Sequence, residues 1–494
     1  MKNNKKYHVI IYILACILPI GIIPISLFIC NISDYLTIIF CCLLAVMFIL
    51  MLKNTSKTIK KVLFTVLTVI VMCAGLFGNY CNPYWNSISM QSNANRISKD
   101  IDTELTQKEA LKDLDYAMHY LKKLHPACYN GLPDEINQRY EQVLNEIKSA
   151  ETITVCDLCQ KIEYIFSAFH DGHTYVKHIA ENQLFPKDLY THINNGEIIV
   201  AINGIDTAEL CRQKQDFYSF EVESYQRVLF SSDISNLSGL KYLGFDADEG
   251  ITFTYETSDG TKEDVTYFTA DFLPYDEYVK YNDIPQNNND ETPFVYYEID
   301  EDKSLAILTL TSCRYNDEYI SCVKEMFEQV KKLNIRNIAV DLRYNGGGSS
   351  LVANEFIRYL PVDEWKSTKH IWRLGCFKIP FKNNTTENEK YTDLTFDGKV
   401  YLLTSSASFS SAMLFPLFFK DNNMGTIIGE APGNTPKSYG DVSIFKLPNS
   451  QLFMSISTKE FFRPDENNPV NLVEPDVPCE SNEVFEILYE QIEK

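Results

Sequence analysis

A run of small residues, 404–412, carries the first candidate for chemistry in this 494-residue sequence. Residues 399–404 predict a strand, and the apolar pattern that follows the run predicts a helix beginning at about Ser411. A serine in the first turn of a helix lies where free backbone N–H groups and the helix dipole favour negative charge. Ser410 is therefore a candidate nucleophile for acyl transfer, whose intermediate is an oxyanion. The simpler interpretation is a serine that only caps the helix.

Three consecutive glycines, residues 346–348, follow an apolar run at residues 335–340. An apolar run that stops at glycines predicts a buried strand that delivers its loop to a site. Glycines adopt positive φ and let the backbone approach a ligand, so their N–H groups can face a reacting atom. The alternative is an ordinary strand-to-helix turn. A phosphate loop is excluded because the Gly-Lys-Ser/Thr ending is missing.

Residues 170–174, His-Asp-Gly-His-Thr, follow a predicted helix that Gly172 can terminate. His173 then stands just beyond a rigid helix end, and a neutral imidazole with an ordinary pKa of about 6.5 can act as a base near neutral pH. The simpler interpretation is a solvated histidine at a helix end. No metal is expected, because no carboxylate at helical spacing completes a zinc site with His170, His173 and His178.

The rest of the sequence predicts the elements that position these residues. Thr106 and Glu109 form a capping box before a helical pattern, and residues 258–260 form a hairpin turn. The string at residues 196–210 resembles a PDZ-like segment. Strands and helices alternate near the C-terminus, which predicts an α/β domain. The expected order is a membrane anchor at 1–84, a tether at 85–103, a helical cap at 104–180, a β-rich PDZ-like module at 181–290 and an α/β core at 291–494.

Three stretches without charged side chains, residues 7–32, 35–52 and 62–80, predict three transmembrane helices, since a spanning helix needs roughly 18–20 apolar residues. Three lysines precede the first stretch and four lie between the second and third. By the positive-inside tendency, the N-terminus is cytoplasmic and everything after residue 84 is extracytoplasmic. A cleaved lipoprotein start at Cys16 is the competing interpretation, and two further apolar stretches argue against it.

The formal net charge is −21, although residues 1–84 hold seven lysines and one acid. So acidic a remainder excludes nucleic-acid binding, which needs clustered Lys and Arg, and the expected partners are membrane lipid and a peptide or protein substrate.

The fourteen cysteines show no regular disulfide spacing, and the pair Cys156 and Cys159 lacks the second pair of a zinc site.

Taken together, residues 170–174, 341–348 and 408–412 and the pair Gly429-Glu430 resemble the tail-specific (carboxyl-terminal processing) and tricorn-core family of serine peptidases. The resemblance runs from about residue 105 to 477. It implies a ClpP–crotonase-like α/β core with a helical cap and a β-rich module, and no cofactor. It also implies Ser410 as nucleophile, with the backbone N–H groups of Gly347 and Ser411 as the oxyanion hole.

The base implied by the resemblance is either the histidine of the His-Thr motif, here His173, or a lysine after the nucleophile, here Lys437. His173 is favoured because Lys437 lies two positions late for its motif and would need its pKa lowered by several units. The orienting acid is open, with Glu466 and Glu474 nearby in sequence. The predicted function is a membrane-anchored extracytoplasmic serine endopeptidase. The alternative is a catalytically inactive peptidase-like surface binding or scaffold protein.

Overall fold

The computed structural model describes residues 2–28, 35–81, 87–89, 91, 93–284 and 293–494. Three helices open the chain, at Lys2–Phe28, Tyr35–Asn54 and Thr58–Cys81. Two of them contain segments long and apolar enough to cross a membrane, Leu36–Lys53 and Thr58–Gly78, by length and composition.

The structure gives two of the three predicted spans, and in the first helix it gives the apolar segment Val9–Ile22. The end of the first predicted span, residues 29–32, lies outside the described residues.

The helical cap consists of Gln107–Leu124, Asp134–Ser149 and Val155–Ser167. The predicted capping box is confirmed: Thr106 Oγ1 accepts the Glu109 N–H at 3.3 Å, and the Glu109 carboxylate accepts the Thr106 N–H at 2.9 Å. The apolar faces of these helices share one buried core with Phe445, Met454 and Ile456 of the C-terminal region. The cap is therefore packed onto the domain that carries Ser410.

Glu163 fastens the third cap helix to the segment that follows the histidine motif. Its carboxylate accepts the Val176 N–H at 2.6 Å and the Ser219 hydroxyl at 2.7 Å, and its side chain is buried. Burial raises the pKa of Glu163 to about 8. The folded chain therefore holds one proton more than the unfolded chain between about pH 4.5 and pH 8, so this group lowers the free energy of unfolding as the pH rises.

Replacing Glu163 by glutamine should remove this loss of stability at high pH, because an amide does not ionise. The amide can still accept from the Val176 N–H and donate to the Ser219 oxygen. We expect the variant and the wild type to unfold at similar temperatures at pH 5, and the variant to be more stable by about 3–5 kcal/mol at pH 9. Thermal unfolding of the full chain at both pH values measures this. An equal offset at the two pH values would contradict it.

The module after the cap is less rich in β-structure than predicted. Its four-stranded antiparallel sheet has the order Ile205–Asp206, Ile198–Ile202, Ile251–Glu256 and Lys262–Tyr267, and the hairpin predicted at residues 258–260 is present. Four helices lie between and after these strands. Their sequences lack a long apolar periodicity, so the sequence analysis did not predict them. The four helices are Thr207–Gln213, Glu223–Ile234, Leu237–Tyr242 and Tyr275–Tyr281.

The C-terminal domain is built on a six-stranded sheet, the core sheet, as the alternating pattern predicted. Its first strand pair is antiparallel and the others are parallel. Three helices pack on one face, at Asp317–Leu333, Leu351–Ile357 and Ser411–Asn422, and Val484–Glu493 packs on the other. The strand order is Val295–Asp300, Leu305–Leu310, Asn337–Asp341, Lys399–Thr404, Thr426–Gly429 and Val477–Pro478.

A second sheet links the cap to the core sheet, and the sequence did not predict it. Its long hairpin, Ser438–Lys446 and Phe453–Phe462, continues into Lys369–Leu374 and Phe377–Phe381. The strand Tyr175–Lys177, directly after the histidine motif, pairs antiparallel with the same hairpin. This pairing fixes the histidine motif against the C-terminal domain. The remaining short strands pair as Glu104–Thr106 with Thr152–Thr154, Leu184–Pro186 with Phe272–Pro274, and Glu364–Lys366 with Thr385–Glu387.

Candidate active site

Two loops meet at one edge of the core sheet. The strands Asn337–Asp341 and Lys399–Thr404 are parallel neighbours, with Asp341 opposite Leu403. The carboxyl ends of adjacent parallel strands deliver their loops to the same place. The glycine triplet and the serine run, which are about sixty residues apart in sequence, are therefore neighbours in space.

Ser410 lies at the sharp turn from strand to helix, just before Ser411–Asn422. Its backbone has φ 58° and ψ −121°, a conformation that residues with a side chain rarely adopt. The Ser410 N–H donates to Asn434 Oδ1 at 2.7 Å, which helps to hold the turn. The side chain is half-buried, so part of it is open to solvent.

Gly347 touches the serine directly. A Cβ on Gly347, whose φ is 99°, would stand 2.6 Å from Ser410 Cβ and 2.7 Å from the Phe409 carbonyl oxygen. The Gly347 N–H, predicted as an oxyanion donor, instead donates to Asn345 Oδ1 at 2.8 Å. Asn345 is fully buried and anchored by its own donation to the Leu310 carbonyl at 2.8 Å. Gly347 therefore supplies space beside Ser410, and its N–H is occupied in this structure.

Two other backbone N–H groups at this edge have no acceptor within the part of the chain that the structure describes, those of Gly348 and Ser411. Gly348 is exposed, with φ 139°, and its carbonyl accepts the Ser411 hydroxyl at 2.8 Å. Ser411 N lies 3.0 Å from the position of a Gly347 Cβ. The predicted donor Ser411 is thus in place, and Gly348 offers the free N–H that Gly347 does not.

His173 reaches the same place from the cap. Its ring packs on Phe409, the neighbour of Ser410, with centroids 4.6 Å apart. The His173 carbonyl accepts the Ser455 hydroxyl at 2.7 Å, which ties the histidine to the second sheet. Among the described contacts no hydrogen bond joins His173 to Ser410, and His173 Nδ1 is buried without a partner.

Asp171 is the carboxylate nearest to that nitrogen, and sequence reasoning did not assign it a role. Its Oδ1 lies 3.7 Å from His173 Nδ1 and accepts the His173 backbone N–H at 2.9 Å. Its Oδ2 accepts the Ser457 hydroxyl at 2.7 Å and lies 3.2 Å from His125 Nε2. The signal available in the sequence was its position between two histidines of one motif.

The electrostatics of Asp171 favour a permanent negative charge. His125 Nδ1 accepts the Ala127 N–H at 3.2 Å, so the proton of a neutral His125 is on Nε2 and points to Asp171. Burial by itself would raise the pKa of Asp171. The hydrogen bonds and charges of His125 and His173 outweigh burial and hold that pKa well below its ordinary value.

The other predicted candidates have different surroundings. Lys437 is exposed, and its described hydrogen bonds are made by its backbone: the N–H donates to Asn471 Oδ1 at 2.8 Å and the carbonyl accepts the Thr435 hydroxyl at 2.8 Å. Glu466 is exposed and pairs with Lys369, and Glu474 is exposed. All three side chains therefore lie at the surface rather than in a buried site.

Comparison with known proteins agrees with this architecture. The family model "Peptidase family S41" matches residues 304–479, which contain the glycine triplet, Ser410 and Lys437 but not His173. No curated protein sequence matches the chain.

Among solved structures, mature CPAF complexed with lactacystin is similar at 13% identity and a TM-score of 0.56, over 78% of this chain and 97% of that one. Mature CPAF is similar at 14% identity and a TM-score of 0.54, over 78% and 96%. The photosystem II D1 C-terminal processing protease gives 12% identity and a TM-score of 0.43, over 76% and 93%. At these identities the two CPAF structures indicate a shared fold. Residues 304–479 of the chain therefore match peptidase family S41, a family of serine peptidases.

Proposed function

We propose that this chain is a membrane-anchored serine endopeptidase with Ser410 as its nucleophile and His173 as its base. One observation carries the proposal. Ser410 sits at a strained strand-to-helix turn in contact with Gly347, one residue from the Phe409 ring on which His173 packs. A nucleophile held at a helix start, beside free backbone donors and within reach of an imidazole, is the arrangement that acyl transfer requires.

In the proposed reaction, Ser410 Oγ attacks the carbonyl carbon of the peptide bond while His173 Nε2 takes the hydroxyl proton. The oxyanion of the tetrahedral intermediate accepts hydrogen bonds from the N–H groups of Ser411 and Gly348. His173 then protonates the leaving amine, and water, activated by the same nitrogen, releases the acyl group from Ser410. Negative Asp171 stabilises the imidazolium that forms at each step.

The resting site is slightly open. His173 Nδ1 and Asp171 Oδ1 are 3.7 Å apart, so a closing motion of about 1 Å brings them to hydrogen-bond distance. Catalytic hydrogen bonds are often long in the absence of substrate and tighten when it binds. Substrate contact along the Phe409 and Ser410 turn is the expected trigger, because that turn carries the ring on which His173 rests.

We also propose that the catalytic part faces the outside of the cell membrane. The support is the pair of membrane-length helices, the apolar first helix before them, and the lysines placed before the first helix and between the second and third. This arrangement needs all three helices to cross, because a two-span anchor would return the chain to the side on which it began.

A membrane-impermeant fluorophosphonate, applied to intact cells that express the full chain, tests both proposals. Ser410→Ala and His173→Ala should abolish labelling, whereas Lys437→Ala should keep it. Loss of labelling with Lys437→Ala and retention with His173→Ala would refute our choice of base. Labelling that appears only after the cells are lysed would refute the topology. No labelling under either condition would favour the inactive binding protein.

A further inference from the structure

Glu221, just before the helix Glu223–Ile234, joins Asp171 and His173 in a cluster that the proposed mechanism does not explain. One ligand atom from each of the three residues lies within 4.8 Å of the other two. The three side chains come from two separate segments of the chain, so the fold itself brings them together.

Three polar atoms of this cluster lack partners within the part of the chain that the structure describes. Both carboxylate oxygens of Glu221 and Nδ1 of His173 are buried without a hydrogen bond. A buried carboxylate without a donor is costly unless it is protonated or paired with a cation. A cation placed among the three residues would pair with both carboxylates and with the unpartnered imidazole nitrogen.

Side-chain cations do not fill that role. Among the ion pairs of the described residues, Asp171 pairs only with His125 and His173, and Glu221 pairs with neither lysine nor arginine. An imidazole nitrogen and two carboxylates form a donor set for a divalent transition metal, and three protein ligands leave a fourth position for water. Ligands of a tetrahedral zinc ion stand about 3.4 Å apart, so the three groups need to approach by only about 1 Å.

We propose that Asp171, His173 and Glu221 bind a divalent cation of the Zn²⁺ class, and that the bound cation inhibits the peptidase. The inhibitory part rests on the proposed function, because it requires His173 to be the base. A metal on Nδ1 leaves the proton of the neutral imidazole on Nε2. That nitrogen then cannot accept the proton of Ser410, and the site is switched off until the metal leaves.

Binding is tested without catalysis, on the full-length Ser410→Ala variant in detergent, by titration with Co²⁺. We expect the visible absorption of a four-coordinate cobalt site, displaced by Zn²⁺, and an affinity lowered at least about tenfold by Glu221→Gln. Glu163→Gln is the matched control, since Glu163 is also buried but both of its oxygens are hydrogen-bonded. No cobalt spectrum, or a Glu221→Gln variant that binds as tightly as its parent, would overturn the site.

Inhibition is tested separately on the active chain by fluorophosphonate labelling rates with added Zn²⁺. We expect Zn²⁺ to slow the wild type, and Glu221→Gln to require at least about tenfold more Zn²⁺ for the same fractional slowing of its own metal-free rate. Cobalt binding without slower labelling would overturn the inhibitory role and leave the binding site standing. An unlabelled wild type that still binds cobalt would instead count against the proposed function.

Discussion

Replacing Gly347 by alanine should abolish the peptidase activity, with a fall in kcat/KM of at least about 100-fold. The new Cβ would meet Ser410 Cβ at 2.6 Å, the Phe409 carbonyl oxygen at 2.7 Å and Ser411 N at 3.0 Å. Two of these three atoms, the Phe409 oxygen and the Ser411 nitrogen, belong to the backbone on either side of Ser410 and cannot rotate away. The φ of 99° adds strain of about 1–3 kcal/mol for any residue with a side chain. The serine and the free N–H of Ser411 would move together.

Gly346→Ala is the matched control, one residue earlier in the same triplet. A Cβ on Gly346 meets no atom within 4 Å, and Gly346 is not among the glycines with positive φ. We expect this variant to keep kcat/KM within about threefold of the wild type. The rate of fluorophosphonate labelling and the turnover of a peptide substrate measure both variants. Equal losses at residues 346 and 347 would mean that the loop matters as a whole rather than through contact with Ser410.

The meeting of the glycine triplet with Ser410 could be predicted from the sequence, because each follows a strand of an alternating α/β pattern. The hairpin turn at residues 258–260 and the helix starts at Thr106 and Ser411 were predicted for similarly local reasons, namely turn residues, side-chain periodicity and capping chemistry. These features depend on neighbours a few residues away, which a single sequence displays.

Which backbone N–H groups beside Ser410 are free of a partner depends on contacts that a sequence does not display. Asn345 takes the Gly347 N–H only because it is buried and held by Leu310, on a different strand. The packing of His173 on Phe409 depends on the pairing of strand Tyr175–Lys177 with the hairpin strand Phe453–Phe462, across almost 300 residues. Asp171 and Glu221 were missed for the same reason, since their partners are remote in sequence.

Asp171→Asn should lower kcat by about 10²–10⁴-fold while KM changes little, if Asp171 stabilises the imidazolium of His173. Its Oδ1 lies 3.7 Å from His173 Nδ1. This is the one ion pair of His173 among the described residues. The amide removes the negative charge and turns one acceptor into a donor that faces the N–H and O–H groups around it. Stability should also fall, by about 1–3 kcal/mol.

A loss of stability alone could mimic a loss of catalysis, and Asp113→Asn separates the two. Asp113, in the cap helix Gln107–Leu124, is also fully buried and accepts the N–H groups of Asn449 and Ser450 at 2.8 and 2.7 Å, but none of its described hydrogen bonds is to His173. Its variant should lose similar stability and keep kcat per active site, counted by fluorophosphonate titration. If Asp113→Asn and Asp171→Asn reduce kcat per titrated site equally, Asp171 acts through folding. If only Asp171→Asn does, a buried carboxylate between two histidines orients the base of this peptidase.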